Sequence, residues 1–250
     1  MCFVVIVVSY ETRRAMLEAY SRNKVNGATG LIMWMLNNAF VSHMWNMYDF
    51  YGRAGGSFYG PARATQHLRN APHFLQPIYA NDDKSTYLLS GPQFAQQSDA
   101  GASFTLQATA YSANGTKLAS TSTSVARSAI RADDSVKVGA IPEVDASQHG
   151  AFYLQLLLSV DAASDEAIER SETASTDVDR AVYWLSTADD VLDWDESNFY
   201  TTPVKSYANL TSLSENTCDL VGLDWSAQVR PTGMRDAGGC GCTVWEVALL

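Results

Sequence analysis

Side chains that can act as bases, nucleophiles or metal ligands lie far apart along this chain of 250 residues. Its histidines do not stand at the spacing of a Ser–His or Cys–His catalytic motif, so no catalytic triad is predicted. These histidines are His43, His67, His73 and His149. The acidic run "DDVLDWDES" at residues 189–197 could attract Ca²⁺. It lacks the spacing and the glycine of an EF-hand, which favours a solvated loop. The run "GCGC" at residues 239–242 lacks the paired C-x₂-C knuckles of a zinc site. We therefore predict no metal site and no cofactor.

Residues 28–52, "ATGLIMWMLNNAFVSHMWNMYDFYG", carry many aromatic and thioether side chains. Apart from His43, Asp49 is the one acidic or basic residue among them. Polar residues interrupt the apolar run before it reaches the length of a membrane span. We therefore expect this surface to belong to a protein core or to a ligand cleft, and we predict no membrane partner.

The net charge of the chain limits which other classes of partner it can bind. The net charge is −10, and residues 161–196 contain twelve acidic residues against two arginines. A nucleic-acid surface needs the opposite sign, so no nucleic acid is expected. The hydrophobic content of 46% is that of a globular protein. The N-terminus has no basic region and no small-residue cleavage site, so no signal peptide is visible.

The first seventy residues show the pattern of a layered α/β structure. Residues 2–8 are rich in β-branched side chains and predict a buried strand. Residues 10–24 predict an amphipathic helix with Ser9 as its N-cap and Ala15, Met16, Ala19 and Tyr20 on its apolar face. Residues 31–36, "LIMWML", predict a strand that is buried on both faces, and a second helix is expected to begin near Ser57.

The pattern changes after about residue 77. Short alternating runs such as "FTLQATAYS", "AFYLQLLLSV" and "RAVYWLST" are separated by polar turns that include "ANGT". These are the signals of an all-β sandwich. Residues 187–215 form an acidic connector that contains several aromatic residues, and residues 216–250 show no clear period.

Four segments together resemble one known family. These are "YETRRAMLEAYSRNK", "ATGLIMWMLNNAFVSHMWNMYDFYGRAGGSFYG", "YWLST" and "DDVLDWDESNFYTTPVKSYANLTSL". They resemble the exo-β-D-glucosaminidases of glycoside hydrolase family 2, with the related β-mannosidases as a second match. The resemblance covers residues 10–215. It implies an α+β multidomain fold, in which an incomplete (β/α)₈ barrel remnant at residues 1–72 precedes an immunoglobulin-like sandwich at residues 73–186.

The resemblance also implies a site. "WMLNN" would be the eighth barrel strand, whose C-terminal end lines the active-site face. Trp34 and Asn37 are then expected to contact a sugar, which implies a β-linked glucosamine or mannose oligosaccharide as partner. The alternative is that Trp34 and its neighbours pack only as barrel core. Family members usually read W-P where this chain has Phe40 and Val41, and "QHLR" at residues 66–69 replaces E-P-L-H, so the loop and last helix are expected to differ.

Catalysis by such enzymes needs two carboxyl groups, and the resemblance places both upstream of the matched region. Glu11 and Glu18 are expected on a solvated helix face, and Asp49, Asp82 and Asp83 have no evident partner. No catalytic residue is therefore assigned within this chain.

We accordingly interpret the chain as a C-terminal fragment of a retaining glycosidase, inactive alone and able to self-associate through the barrel remnant. The alternative is a non-catalytic sandwich that binds glycan or a partner. Family members are often secreted, but the localisation of this chain is not predicted.

Overall fold

The computed structural model describes residues 2–28, 30–41, 46–69, 72–96, 103–161, 177–208 and 210. Its helices are α1 (Cys2–Arg22) and α2 (Gly56–Ala64). Its strands are β1 (Leu75–Ala80), β2 (Ser85–Ser90), β3 (Ser103–Tyr111), β4 (Lys117–Ala126), β5 (Ser135–Ala140), β6 (Ala151–Asp161), β7 (Asp177–Ser186), β8 (Val191–Leu192) and β9 (Val204–Ser206). Met1–Thr217 form one compact unit.

Two antiparallel sheets, with the strand orders β1-β2-β5 and β4-β3-β6-β7, share one apolar core. The side chains of β6 show why, since Phe152, Leu154, Leu156 and Leu158 are buried and alternate with less buried residues. This period of two places every second side chain in the core. The strands predicted from "FTLQATAYS", "AFYLQLLLSV" and "RAVYWLST" are thereby confirmed as β3, β6 and β7. In the predicted "ANGT" turn, Gly115 has a φ of +83°, which glycine adopts without strain.

Helix α1 corrects two expectations. Residues 2–8 are helical and not a strand, so Ser9 lies inside the helix and is not its N-cap. The β propensity of valine and isoleucine is a weak preference, and here the helix of residues 10–22 simply continues toward the N-terminus. The α-helix ends at Arg22, two residues before the predicted end, and a short 3₁₀ turn (Asn23–Asn26) follows, which Gly27 closes at a φ of 92°.

The buried face of α1 is also not the predicted one. Arg14, Glu18, Ser21 and Arg22 are buried, whereas Ala19 and Tyr20 are exposed. The expectation that Glu18 lies on a solvated face is therefore wrong. The helix packs through charged side chains, of which Arg14 and Glu18 pair with each other, a possibility that an apolar period cannot reveal.

Residues 31–36 do not form the predicted strand. Ile32, Trp34 and Leu36 are 95%, 73% and 62% exposed, and the nearest pairing is an isolated bridge between Asn37 and Tyr48. A strand needs a neighbouring strand to pair its backbone groups. Residues 2–8, the other strand expected in this part of the chain, are helical and cannot supply one.

Helix α2 confirms the second predicted helix, although it begins at Gly56 with Gly55 as N-cap, one residue before Ser57. It crosses α1 closely, because a Cβ atom at Gly60 would collide with the Tyr10 carbonyl oxygen. The division of the compact unit at residues 72 and 73 stays a prediction. Among the described residues, no helix has the length and hydropathy needed to cross a membrane.

Helices α1 and α2 cover one edge of the larger sheet, the edge formed by β7. Arg14 Nη1 donates to the Val182 carbonyl at 2.7 Å, and Arg63 Nη2 donates to the Arg180 carbonyl at 2.7 Å. Arg63 also forms a salt bridge with Asp179 at 2.8 Å. Covering an edge in this way prevents further strands from adding to it.

Candidate functional site

Trp34 lies on an exposed segment that follows α1. Its indole is 73% exposed, and the peptide bond to Met35 is cis. On the other side of Trp34, Met33 accepts a contact from Arg13 Nη1 to its Sδ at 3.5 Å, which ties this segment to α1. The segment thus carries an exposed aromatic ring next to a residue that contacts α1.

Asn37 stands where this segment meets the next loop. Its bridge to Tyr48 is accompanied by a hydrogen bond from the Tyr48 N–H to the Leu36 carbonyl at 3.0 Å. The neighbouring Asn38 and Asn46 are both buried and hydrogen bond to each other. These contacts hold the backbone of Asn37 while its side chain faces solvent. Trp34 and Asn37 thus lie on one exposed segment, three residues apart in the sequence.

The loop after Tyr48 is closed by Asp49. Its carboxylate accepts the N–H groups of Tyr51 and Arg53, both at 2.9 Å, and the Arg53 Nε at 2.8 Å. The Arg53 backbone hydrogen bond, followed by the Arg53 guanidinium, lowers the pKa of Asp49. Asp49 is therefore a loop-closing residue that stays ionised, which leaves it without the raised pKa of a general acid.

A buried charged cluster lies between α1 and the sheets, and the sequence did not reveal it. Arg14 Nε donates to Glu18 Oε1 at 2.9 Å, and the guanidinium stacks on the Tyr183 ring at 3.9 Å. The Tyr183 hydroxyl donates to Glu18 Oε2 at 2.9 Å and accepts the Tyr79 N–H at 3.1 Å. Burial, reinforced by Glu18, raises the pKa of Tyr183 far above its usual value, so the phenol stays protonated.

The i,i+4 spacing of Arg14 and Glu18 was a visible signal of this cluster. Its third member stands 165 residues away from Glu18 in the sequence.

The remaining acidic candidates are also held by neighbours. Asp82 accepts from Arg22. Asp83 accepts from the Tyr87 hydroxyl at 2.6 Å and from Lys137 at 3.0 Å. Burial raises the pKa of Glu11 on α1. Within the described part of the chain no cluster of three or more His, Cys, Asp or Glu residues could hold a metal ion.

His67, in the turn after α2, has a strongly displaced pKa. It is fully buried, and its Nδ1 lies 3.0 Å from Gln76 Oε1. Burial lowers its pKa to about 4, against a smaller upward effect of the Gln76 hydrogen bond. The ring is therefore neutral near pH 7, and it joins the turn after α2 to β1 without lining an open site.

No family model matches the chain. It is 32% identical over 244 residues to an exo-β-D-glucosaminidase of Amycolatopsis orientalis, covering 96% of this chain and 20% of that protein. It is also 32% identical to an exo-β-D-glucosaminidase of Streptomyces avermitilis over 213 residues, with 83% and 20% covered. The chain thus spans about a fifth of the length of these relatives.

Solved structures of an exo-β-D-glucosaminidase are also similar to this chain. A complex of the Amycolatopsis orientalis exo-chitosanase CsxA with PNP-β-D-glucosamine aligns with a TM-score of 0.62 at 28% identity, over 82% of this chain and 22% of that one. The crystal structure of CsxA aligns with the same TM-score and identity. Over most of its length, this chain is therefore homologous to one part of the exo-β-D-glucosaminidases, which are glycoside hydrolases.

Proposed function

We propose that the chain is the C-terminal part of a glycoside hydrolase family 2 enzyme of the exo-β-D-glucosaminidase type, which hydrolyses terminal β-glycosidic bonds. In this proposal, residues 1–72 complete a (β/α)₈ barrel, residues 73–186 form an immunoglobulin-like sandwich and residues 187–215 form an acidic connector after the sandwich. The observation that carries the proposal is the 32% identity to an exo-β-D-glucosaminidase across 96% of the chain.

The distribution of apolar side chains supports this assignment. Ile32, Leu36, Phe40 and Val41 are each more than 60% exposed, and Tyr20 on α1 is 38% exposed. So many exposed apolar side chains in one segment are typical of an interface and not of a finished monomer surface. The remainder of a barrel would cover it, and without that remainder the segment favours self-association.

Trp34 and Asn37 are the sugar-contacting residues of this proposal. An exposed indole offers a flat apolar face to a pyranose ring, and an amide can donate to and accept from sugar hydroxyls. The exposure of Trp34 and the fixed backbone of Asn37 support these roles. The bound sugar would be a terminal β-linked glucosamine, the ligand in the related CsxA complex.

Chemistry is proposed to come from carboxyl groups outside this chain. A retaining glycosidase holds a nucleophile and an acid/base about 5–5.5 Å apart. Here Glu18, Asp49, Asp82 and Asp83 are each engaged by a cation. We therefore assign no catalytic residue, and the proposed contribution of the chain is sugar contact and support of the barrel.

The test uses p-nitrophenyl β-D-glucosaminide and the 250-residue chain. We expect weak binding by NMR, no release of nitrophenol, and loss of the binding in Trp34→Ala. Trp194→Ala is the matched control, because Trp194 is similarly exposed at 70% but lies in the connector. Hydrolysis that disappears when one acid of this chain is replaced would overturn the proposal, and so would unchanged binding by Trp34→Ala.

A second candidate function is a non-catalytic carbohydrate-binding sandwich. It is favoured by three aromatic residues, Tyr111, Tyr153 and Trp184, that lie in register on the outer face of the larger sheet.

A further inference from the structure

Three aromatic residues lie side by side on the larger sheet. Tyr111 on β3 pairs with Tyr153 on β6, and Tyr153 pairs with Trp184 on β7. Each is adjacent to a core residue in its strand: Tyr111 follows Ala110, Tyr153 precedes Leu154 and Trp184 follows Tyr183. Because side chains alternate along a strand, the three aromatic residues share the outer face. We call this set the aromatic row.

The geometry of the aromatic row exposes one flat ring at its Trp184 end. Neighbouring strands are about 4.8 Å apart, so three residues in register span roughly 10 Å. Trp184 is 46% exposed, and its ring meets that of Tyr153 edge to face with centroids 6.0 Å apart. This contact fixes the indole at low entropic cost. Gln155, two residues beyond Tyr153 on the same face and half-buried, offers an amide beside the row.

Acidic residues are concentrated at one end of the aromatic row. At its Trp184 end lies a cleft of about 520 Å³ lined by the carboxylates of Glu143, Asp189 and Asp190. One cation, Lys84, also lines the cleft and is paired with Asp189 at 2.8 Å. The cleft is therefore acidic in a chain whose net charge is −10. A protonated amino group on a ligand that stacks on Trp184 would be attracted to it.

From the register, the exposed indole and the acidic cleft, we propose that the aromatic row is a second carbohydrate-binding site, separate from Trp34, for oligosaccharides of β-linked glucosamine with free amino groups. Stacking on Trp184, whose ring Tyr153 holds edge to face, supplies the contact surface, and the carboxylates select the cationic sugar. The choice of this sugar rests on the proposed function. The site itself is inferred from the strand register and from the exposure of Trp184, independently of the proposed function.

The test is isothermal titration of the 250-residue chain with a fully de-N-acetylated β-linked glucosamine hexasaccharide. We expect Trp184→Ala to weaken binding about tenfold, the effect of removing one well-stacked ring, and Trp184→Tyr to recover part of it. Trp194→Ala, at the other strongly exposed tryptophan among the described residues of the C-terminal half, should bind as the unchanged chain does. Equal affinity in Trp184→Ala would overturn the proposal.

Two further measurements separate the possible outcomes. Trp34→Ala should lose its own contact with the sugar but retain the binding that Trp184→Ala removes. Loss of all binding in Trp34→Ala and of none in Trp184→Ala would leave the proposed function standing and remove the second site. The N-acetylated hexasaccharide should bind more weakly, and added salt should reduce only the affinity of the amino form. Equal affinity for both sugars would overturn selection by charge. Thermal unfolding of each variant confirms that it is folded.

Discussion

At the scale of single residues, the cluster of Arg14, Glu18 and Tyr183 is the most sensitive point of the molecule. Tyr183→Phe removes a buried hydroxyl that serves both Glu18 and the Tyr79 N–H. Glu18 keeps Arg14, but its Oε2 and the Tyr79 N–H lose the partner they share, which should lower the free energy of unfolding by about 1–3 kcal/mol. Urea denaturation measures this change, with Tyr207→Phe, at a strongly exposed site, as control. Equal midpoints for the two variants would contradict the account.

His67 should make stability depend on pH. Its pKa is about 4 in the folded chain and is near 6.5 when unfolded, so between these values the unfolded state binds more protons. Stability contributed by neutral His67 is complete above pH 6.5 and is lost as the pH falls toward 4, by up to about 3 kcal/mol.

The variant His67→Gln isolates this effect from that of the carboxylates. Its free energy of unfolding should fall less steeply than that of the unchanged chain between pH 6.5 and pH 4. Parallel curves would show that His67 titrates normally in the folded state.

At the scale of elements, the crossing of α1 and α2 depends on Gly60. A glycine-to-alanine change inside a helix usually adds about 1 kcal/mol of stability. At Gly60 the added Cβ would meet the Tyr10 carbonyl oxygen, so we expect a loss of about 1–3 kcal/mol. Gly30→Ala is the control, because nothing lies within 4 Å of its Cβ position. A gain in the thermal midpoint of Gly60→Ala would show that the helices do not approach this closely.

Elements with a clear period were predictable from the sequence, and elements set by distant partners were not. Alternation alone identified β3, β6 and β7. The face of α1 was predicted wrongly because Arg14 and Glu18 pair with each other and are buried against Tyr183, which lies far along the chain. Residues 31–36 were predicted as a strand from their apolar run, but a strand also requires a neighbour, which the sequence pattern of one segment does not contain.

For the candidate site, Trp34 and Asn37 came from a resemblance. The aromatic row was not recognised beforehand, since its members are 42 and 31 residues apart and only the register brings them together.

At the scale of the whole molecule, the exposed apolar segment should govern association. We expect the chain of 27.3 kDa to elute as larger species as its concentration rises. Ile32→Glu should reduce this association by placing a charge at a side chain that is 95% exposed. Phe199→Glu, at a position 94% exposed in the connector, should not. Equal elution of both variants at all concentrations would argue against an interface at residues 31–41.

The central claim is that this chain is one part of an exo-β-D-glucosaminidase, and a chimera tests it most directly. The chain replaces the homologous fifth of the Amycolatopsis orientalis enzyme, and release of nitrophenol from p-nitrophenyl β-D-glucosaminide is measured. We predict an active chimera whose kcat/KM falls at least about tenfold on Trp34→Ala, as expected for a lost contact of about 1.4 kcal/mol, and is unchanged by Trp194→Ala. A folded chimera without activity, or one that is indifferent to Trp34→Ala, would contradict the account.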